Sequence, residues 1–284
     1  MSQTLKKAMQ VLDLFSLERP EWGVSEVARA LELPKSTASE LMSSLAHHRL
    51  LDRTTKGRYR LGWHLFELSQ NLLDTTEFRT EARRVMEELV KRWKETMHLA
   101  VLDGVQAVYI EKLQPRPAVK IRITRAGARL PAHSSGVGKV LLAHSEWEYL
   151  ASQFEDQGMP ALTDNTITDL DALAEELERV RERGYACDNE ETLVGLCCVA
   201  APIYDLGGTV VAGISLSVPA YRFRPKMDKY TAAILDAARR ISENAGPALE
   251  GYPSYEVEEV RDKQLKTKVK VGYPGYEAEE ARDR

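Results

Sequence analysis

The sequence predicts an α+β protein with a small N-terminal winged helix-turn-helix and a larger C-terminal domain built on an antiparallel sheet. Within the first 62 residues, three short helical patterns precede a basic hairpin. From Leu99 onward, apolar residues alternate with polar ones, which is typical of strands. Tight turns join these strands into hairpins that stand apart from the helices, which argues against a doubly wound parallel sheet.

Two amphipathic helices are predicted at the N-terminus. The first has apolar residues at helical spacing: Leu5, Ala8, Met9, Leu12 and Phe15. Residues 20–23 contain a proline and a glycine, which end it. Ser25 is the predicted N-cap of the second helix, which turns Ala28 and Leu31 inward. A tight turn at residues 32–34 then leads into a third helix.

The third helix, predicted over residues 36–48, has two chemically distinct sides. Its inward side gathers apolar residues: Ala38, Leu41, Met42 and Leu45. Its outward side gathers polar residues: Ser36, Glu40, Ser43 and His47. Short polar side chains can approach base edges in the major groove of DNA, where a bulky face could not. We expect Ser36 to be the N-cap or to lie in the first turn, with Lys35 close to a phosphate.

A basic wing is predicted directly after this helix. Strand-like residues 50–53 and 58–61 are joined by a short turn, with Lys56 and Arg58 near its tip. Residues 33–62 have a net charge of +4 in a chain whose net charge is −4. A basic island in an acidic chain indicates DNA binding through one small patch. The alternative, solvated helices with ordinary surface charge, does not account for the order of the segments.

Two helices are predicted to connect this head to the rest of the chain. Residues 63–74 form the first, with Leu65, Leu68 and Leu72 on one side, and we expect an interdomain linker. The second is predicted over residues 77–96, and its apolar stripe is Ala82, Val85, Met86, Leu89, Val90 and Trp93. Ordinary core helices are the alternative for both.

Hairpins and helices make up the predicted C-terminal domain. The first predicted elements are a hairpin at 98–113 that turns at Asp103 and Gly104, a strand at 119–124, and a small-residue loop that enters a helix at 130–143. They are followed by a helix from Thr168 or Asp169 to Gly184 and a hairpin at 197–218 that turns at 205–208. A final helix runs through Ile234 and ends near Gly246. A segment at residues 251–262 recurs 21 residues later, and we expect this part of the chain to be a mobile surface tail.

Composition is compatible with a cytoplasmic protein that has no membrane partner. At 284 residues the chain is long enough for two domains. No run approaches the ~20 apolar residues that span a bilayer, and the N-terminus lacks a secretory signal. Three cysteines, of which Cys197 and Cys198 are adjacent, form neither a disulfide framework nor a metal-binding pair. No cofactor and no metal are predicted.

Three segments approach catalytic motifs without meeting their requirements. Residues 134–139 lack the first glycine of a phosphate loop and the Ser or Thr that follows its lysine. Residues 213–217 lack the last glycine of a nucleophile elbow. Cys198 with His133 and Asp188 suggests a thiol hydrolase, but a cysteine in an apolar strand is more often inert packing. We therefore predict that the protein is not an enzyme.

The same segments suit ligand binding without chemistry. The small residues at 134–138 leave room at a helix start, where exposed backbone N–H groups favour a carboxylate. Ser215 and Ser217 are two residues apart on one predicted strand, so their hydroxyls point to the same face.

Two sets of sequence strings resemble one known family. SEVARALELPKSTASELMSSL and GRYRLG resemble the DNA-binding half of IclR-type bacterial transcriptional regulators. ARLPAHSSGVGKVLLA, GYACDNEETLVGLCCVAAPI and AGISLSVP are similar to the effector-binding motifs of the same family, and the resemblance spans residues 4–248. Glu32 departs from it, because the family usually has glycine there, and a left-handed backbone costs a non-glycine residue about 1–2 kcal/mol.

The resemblance implies a GAF/profilin-like effector-binding domain whose pocket residues carry over position by position. One wall consists of Leu130, Gly136 and Val137, and the polar side consists of Asp188, Cys198, Ser215 and Ser217. Family members sense small organic acids such as glyoxylate or pyruvate, or aromatic acids, and bind operators as dimers or paired dimers. Some hold a metal in this domain; here His133 is the one histidine that suggests it, and a lone histidine is weak support.

These expectations together describe a regulator whose domains are residues 1–62 (winged helix), 63–76 (linker), 77–250 (effector binding and oligomerisation) and 251–284 (tail). The residues predicted to contact DNA are Lys35, Ser36, Thr37, Ser39, Glu40, Ser43, Lys56, Arg58 and Tyr59. The predicted partners are double-stranded operator DNA, a small organic acid and a second copy of the chain, with repression favoured over activation. Two alternatives stay open: a C-terminal domain that only oligomerises, and a Cys-dependent enzyme fused to a DNA-binding head.

Overall fold

The computed structural model describes residues 2–74, 78–115 and 124–244. The chain divides into two compact units, Met1–Thr76 and Glu77–Arg284. The predicted strand at 119–124, apart from Thr124, and the predicted helix end at Gly246 lie outside the described residues, as does the repeated tail. Among the described residues, no helix is long and apolar enough to cross a membrane.

The N-terminal unit is a winged helix-turn-helix, as the sequence predicts. Its elements are α1 (Gln3–Asp13), α2 (Val24–Ala30), α3 (Lys35–His47), β1 (Leu51–Arg53), β2 (Tyr59–Leu61) and α4 (His64–Asp74). β1 and β2 pair antiparallel and form the wing. The predicted inward side of α3 lies in a core that also contains Val11, Trp22 and Val27. Burial of these apolar side chains is the main favourable contribution to folding of this small unit.

Three details of the helix starts and faces differ from the prediction. The buried side of α1 centres on Val11, whereas Leu5 and Met9 are exposed. The N-cap of α2 is Gly23, whose N–H donates to Glu26 Oε2 at 2.8 Å, so Ser25 is inside the helix and does not cap it. α3 begins at Lys35 after Pro34, and no side chain caps it. Pro34, the residue before the helix, has no side-chain acceptor, and Ser36 lies in the first turn, which is one of its two predicted positions.

The turn between α2 and α3 has the left-handed backbone that glycine usually supplies. Glu32 has a φ of +52°. The N–H of Leu33 donates to Ala28 O at 2.8 Å, and the N–H of Glu32 donates to Arg29 O at 3.4 Å. These two bonds form a Schellman motif, which satisfies the last carbonyls of α2. Glu32 therefore adopts the glycine geometry and bears its conformational cost.

The C-terminal unit contains a six-stranded antiparallel sheet with helices on both faces. Its first elements are α5 (Phe78–Trp93), β3 (Thr96–Asp103), β4 (Gln106–Leu113), β5 (Arg129–Pro131), a 3-10 turn (Ala132–Ser134), α6 (Gly136–Ala143) and α7 (Trp147–Gln157). They are followed by α8 (Leu170–Arg183), β6 (Ala186–Asn189), β7 (Leu196–Tyr204), β8 (Val210–Pro219), α9 (Ala220–Phe223), a 3-10 turn (Arg224–Lys226) and α10 (Met227–Ser242). The strand order is β5-β4-β3-β8-β7-β6.

Alternation along the central strands divides the interior into two cores. Leu99, Ile214 and Leu216 pack with α5 and α10 in one core. Ala100 and Ala200 pack with α6, α7 and α8 in the other. Because successive side chains of a strand point to opposite faces, each central strand contributes to both cores.

The predicted hairpins and the best-capped helix are confirmed. Asp103 pairs with Gln106 around Gly104, whose φ is +58°. β7 pairs with β8 over their length. At the start of α8, Asp169 accepts a hydrogen bond from the N–H of Ala172 at 2.9 Å, and the helix ends at Gly184 with a φ of +76°.

The bounds of other elements differ from those predicted from the sequence. The second predicted helix ends at Trp93 and not at residue 96, because Lys94 adopts a φ of +58° and Thr96 begins β3. The sequence analysis missed β5, β6, α7 and α9. β5, β6 and α9 span only three or four residues each, which is too short for periodicity to show.

Replacing Glu32 with glycine should stabilise the N-terminal unit by about 1 kcal/mol, because glycine adopts a left-handed backbone without steric cost. In the full chain we expect the melting transition of this unit to rise by about 4 °C in calorimetry. Glu32→Ala is the matched control, because it removes the same carboxylate and keeps the strain. An equal rise in both variants would show that charge, and not backbone conformation, sets the stability of this turn.

Candidate functional site

The outward side of α3 is available to a partner. Ser36, Ser39, Glu40 and Ser43 are exposed, and Thr37 is half-buried. Lys35 is the first residue of the helix and is also exposed. The helix therefore presents short polar side chains along one face and a lysine at its start, which is a geometry that suits a major groove and an adjoining phosphate.

The wing is attached to α2 by an arginine that the sequence analysis assigned to DNA. Arg58 Nη2 lies 2.7 Å from Glu26 Oε2 and donates to Glu21 O at 2.9 Å. A backbone hydrogen bond from Gly23 holds the pKa of Glu26 below its usual range, and Arg58 adds to this effect. The Arg58 guanidinium is thus engaged within the unit. This ion pair holds the wing in place, and the contact of Arg58 with a DNA phosphate stays a prediction.

Tyr59, also predicted to contact DNA, lies in the core. Its side chain is 5% exposed. Its backbone exchanges hydrogen bonds with Trp22, at 2.8 Å and 2.9 Å. This ring packs between the wing and the helices, so its predicted role at the DNA surface is corrected to a structural one. Lys56, by contrast, is exposed in the turn of the wing.

All seven predicted effector residues line one cavity in the C-terminal unit, which we call the inner cavity. Its volume is about 20 Å³. It is lined by Leu130, Gly136, Val137, Asp188, Cys198, Ser215 and Ser217, together with Tyr109, Thr124, Ser135, Thr192 and Leu196. A volume of this size holds about one water molecule. The inner cavity is therefore a small space at the start of α6 with both polar and apolar residues in its wall.

A chain of buried polar side chains crosses three strands beside this cavity. Ser217 Oγ lies 3.0 Å from Cys198 Sγ and 3.3 Å from His98 Nδ1. His98 Nε2 lies 2.8 Å from Thr124 Oγ1. Burial lowers the pKa of His98 to about 3, so the ring is neutral and one nitrogen donates while the other accepts. The sequence analysis missed His98; its one signal was a histidine within an otherwise apolar strand pattern.

Among the described residues that line the inner cavity, Asp188 is the one with a carboxyl group. Its Oδ1 accepts hydrogen bonds from the N–H of Glu191 at 2.7 Å and of Thr192 at 3.3 Å. Burial raises the pKa of Asp188 to about 7, and repulsion from Glu191 adds to the shift. No Lys or Arg is among the described residues that line the cavity. Near neutral pH, Asp188 is therefore present both as the protonated acid, which can donate a hydrogen bond, and as the carboxylate.

Behind the cavity, α6 carries a buried cation. Lys139 Nζ lies 2.6 Å from Glu191 Oε1 and 2.8 Å from Oε2, and Glu176 is 3.9 Å away. Lys139 is 2% exposed. The lysine was noticed in the sequence only as part of a failed phosphate-loop motif. Here it neutralises Glu191 and fixes the loop that supplies the N–H groups to Asp188.

The alternative of thiol chemistry at Cys198 has no support in this geometry. Burial raises the pKa of Cys198 well above its usual value, which disfavours the thiolate that nucleophilic chemistry requires. His133 is buried against Phe154 and lies 3.2 Å from Pro160 O. Within the described part of the chain, no group of three or more His, Cys, Asp or Glu side chains could hold a metal ion.

Comparison with known families agrees with this architecture. Residues 4–55 match the IclR helix-turn-helix domain, and residues 70–243 match the C-terminal domain of the bacterial transcriptional regulator IclR. The chain therefore belongs to the IclR family of bacterial transcriptional regulators.

The names of similar proteins agree with this family assignment. The chain is 36% identical over 216 residues to the Escherichia coli transcriptional regulator XynR, covering 76% of this chain and 85% of that protein. It is 34% identical to E. coli KdgR, covering 84% and 91%, and 32% identical to the E. coli repressor AllR, covering 86% and 91%. All three are named as transcriptional regulators or repressors.

Two solved structures are similar along the chain. Thermotoga maritima IclR has a TM-score of 0.66 and 34% identity, covering 84% of this chain and 97% of that one. An IclR homolog from Microbacterium hydrocarbonoxydans, complexed with 4-hydroxybenzoate, has a TM-score of 0.74 and 28% identity, covering 85% and 98%.

Asp188 should make the stability of the protein depend on pH in a defined direction. Its pKa is raised from 3.8 to about 7 in the folded state, so the folded protein binds the proton more tightly than the unfolded chain. The resulting stabilisation is complete below the unfolded pKa and is lost as pH rises from about 4 to about 7. Asparagine does not titrate, so Asp188→Asn should remove this loss. In urea titrations, the free energy of unfolding of the variant minus that of wild type should therefore increase as pH rises through that window. The control is Asp171→Asn, because Asp171 is exposed. A difference that stays constant with pH would contradict the protonated form of Asp188.

Proposed function

We propose that this protein binds operator DNA through α3 and the wing, and that a small organic acid in the inner cavity changes its DNA affinity. The observation that carries the proposal is the convergence of all seven predicted effector residues on that cavity. Repression is the favoured sign of regulation, supported by the similarity to a named repressor. The proposed location of the protein is the cytoplasm, and its proposed partner there is double-stranded DNA.

The chemistry of the inner cavity suits an acid with few atoms. Ser215 and Ser217 offer hydroxyls, the first turn of α6 offers backbone N–H groups, and Asp188 can donate while it is protonated. A ligand carboxylate favours that protonated form, since two carboxylates in one buried site repel each other. The complex of a structural neighbour with 4-hydroxybenzoate supports an acid as the ligand class, and aliphatic acids fit the same groups.

The small volume links binding to a change of shape. A cavity of about 20 Å³ cannot admit several heavy atoms unless its walls move. An effector would therefore stabilise a more open form of this unit, and the difference in affinity between the two forms is what can shift DNA binding.

We also propose that the active species is a homodimer or a pair of dimers. α4 has no buried residue. Leu68 and Leu72 lie one turn apart on the same side of this helix and are 48% and 55% exposed. An apolar side left in water in this way favours association, and a second copy of the chain would cover it.

Footprinting of the DNA upstream of the gene, with glyoxylate, pyruvate or 4-hydroxybenzoate present, tests the function as a whole. A protected palindromic site whose protection changes with one acid supports the proposal. A protected site that responds to none of the acids, with no thermal shift for any of them, favours a C-terminal domain that only oligomerises. Rapid modification of Cys198 by iodoacetamide would favour the enzyme alternative.

Ser215→Val should remove the response to the acid while leaving DNA binding intact, because valine lacks the hydroxyl and its additional methyl group takes up space in the small inner cavity. Fluorescence anisotropy with labelled operator DNA measures both properties. Thr231→Val is the matched control, since Thr231 is equally buried but packs in the other core, on α10. A response that survives in Ser215→Val would place the effector elsewhere.

Lys56→Gln should weaken binding to specific and random DNA alike and should lower the slope of log affinity against log salt by about 1, since one phosphate contact is lost. Lys91→Gln, an exposed change on α5, serves as the control. If Lys56→Gln leaves both the affinity and the salt slope unchanged, the wing does not contact DNA.

A further inference from the structure

A second cavity, much larger than the inner one, lies at one end of the sheet. We call it the outer cavity, and its volume is about 540 Å³. It is formed where α5 ends, β3 begins and β8 ends, beside the first residues of α10. This volume falls within the range of small-molecule sites. None of the seven predicted effector residues lines it except Ser217.

Four cationic side chains line the outer cavity, and Arg222 is the one of them that is paired with an acid. Arg92, Lys94 and Lys226 are exposed, and no acidic side chain in the described residues lies within ion-pair distance of them. The one acid on the wall, Glu95, is neutralised by Arg222 through two hydrogen bonds of 2.8 Å and 2.9 Å. Like charges around one opening repel each other, so a bound anion would lower the electrostatic energy.

Helix stability does not account for all of these cations. Arg92 and Lys94 lie at the C-terminus of α5, where a positive charge favours the helix dipole. Lys226 is different, because it is the N-cap residue of the 16-residue helix α10, where a positive charge opposes the dipole. The positive end of α10 and Lys226 therefore act in the same direction, toward an anion.

Aromatic side chains form part of the wall. Trp93 and Tyr230 meet edge to face, with ring centroids 5.1 Å apart. The Nε1 atom of Trp93 is buried and has no hydrogen-bond partner in the described part of the chain. Because this atom is buried below the wall, the surface that Trp93 offers to a ligand is its apolar ring.

We propose that the outer cavity is a second ligand site, for a small organic anion in which an aromatic or apolar part carries a phosphate or a carboxylate. The aromatic part packs against Trp93 and Tyr230, and the anionic group lies among Lys94, Lys226 and Arg92. Leu196 and Ser217 line both cavities. An occupant of the outer cavity therefore contacts part of the wall of the inner one, and the two sites are expected to influence each other's affinity.

The test uses the full chain labelled with 5-fluorotryptophan, because the protein has four tryptophans and each gives a separate fluorine signal. The signal of Trp93 is identified by its loss in Trp93→Phe. Phenyl phosphate, benzoate and inorganic phosphate are the three probes, followed by fluorine NMR and by calorimetry. We expect phenyl phosphate or benzoate to shift the Trp93 signal with one site per chain, and inorganic phosphate to bind at least tenfold more weakly. The stronger of the two organic probes identifies the preferred anionic group.

The double variant Lys94→Glu with Lys226→Glu should weaken binding of the organic probe at least tenfold. The matched control is Lys91→Glu with Lys229→Glu, which changes the same net charge on exposed positions of the same two helices, α5 and α10. In the control we expect less than a twofold change. Ser215→Val should also retain probe binding, because Ser215 lines only the inner cavity.

Three results would overturn the proposal. The first is the absence of a Trp93 shift with every probe. The second is an equal loss of binding in the test and control double variants, which would reduce the effect to overall charge. The third is loss of probe binding in Ser215→Val with retention in the Lys94 and Lys226 variant, which would place the probe in the inner cavity. The effector response measured by anisotropy is a separate readout, so failure here leaves the proposed function intact.

Discussion

The close packing of α6 against the middle of the sheet is the constraint on which the C-terminal unit depends. A side chain at Gly213 would place its Cβ 2.7 Å from Val137 Cγ2, and a side chain at Gly138 would overlap the carbonyl of Ala132. Only glycine permits the helix to lie this near the strands. As a result, the polar residues of β8 and the first turn of α6 lie close together and leave only a small cavity between them.

The polar groups enclosed by this packing are held in defined states by their partners. Lys139 and Glu191 form a buried ion pair, and such a pair is stable only because each charge has the other close by. The loop fixed by this pair supplies N–H groups to Asp188. On the other side, Ser217 connects Cys198 to the neutral ring of His98. A ligand that entered here would have to exchange hydrogen bonds with this network, which makes recognition depend on chemistry as well as size.

In the N-terminal unit, two side chains hold the wing against the helices. Arg58 ties the wing to α2, and Tyr59 fills the space between them. Both side chains therefore stabilise the arrangement of the wing and helices around α3. The polar side of α3 remains exposed because its opposite side satisfies the core.

Local signals in the sequence determined much of this protein. Periodicity located α3 with its two sides, turn glycines located the hairpins, and Asp169 and Gly184 delimited α8. These features depend on neighbours a few residues away, so they can be read from the chain itself. Ser215 and Ser217 were recognised in the same way, from their spacing on one strand. The rest of the predicted pocket came from a family resemblance.

The tertiary structure alone decided which charged and polar side chains meet. Arg58 and Glu26 are 32 residues apart, Lys139 and Glu191 are 52 apart, and Ser217 and His98 are 119 apart. No local pattern reports such contacts, because they depend on how distant segments pack. The outer cavity is a further case, since it is assembled from the ends of α5, β3 and β8. Sequence therefore determined the elements and their faces, and packing decided which side chains are free to bind.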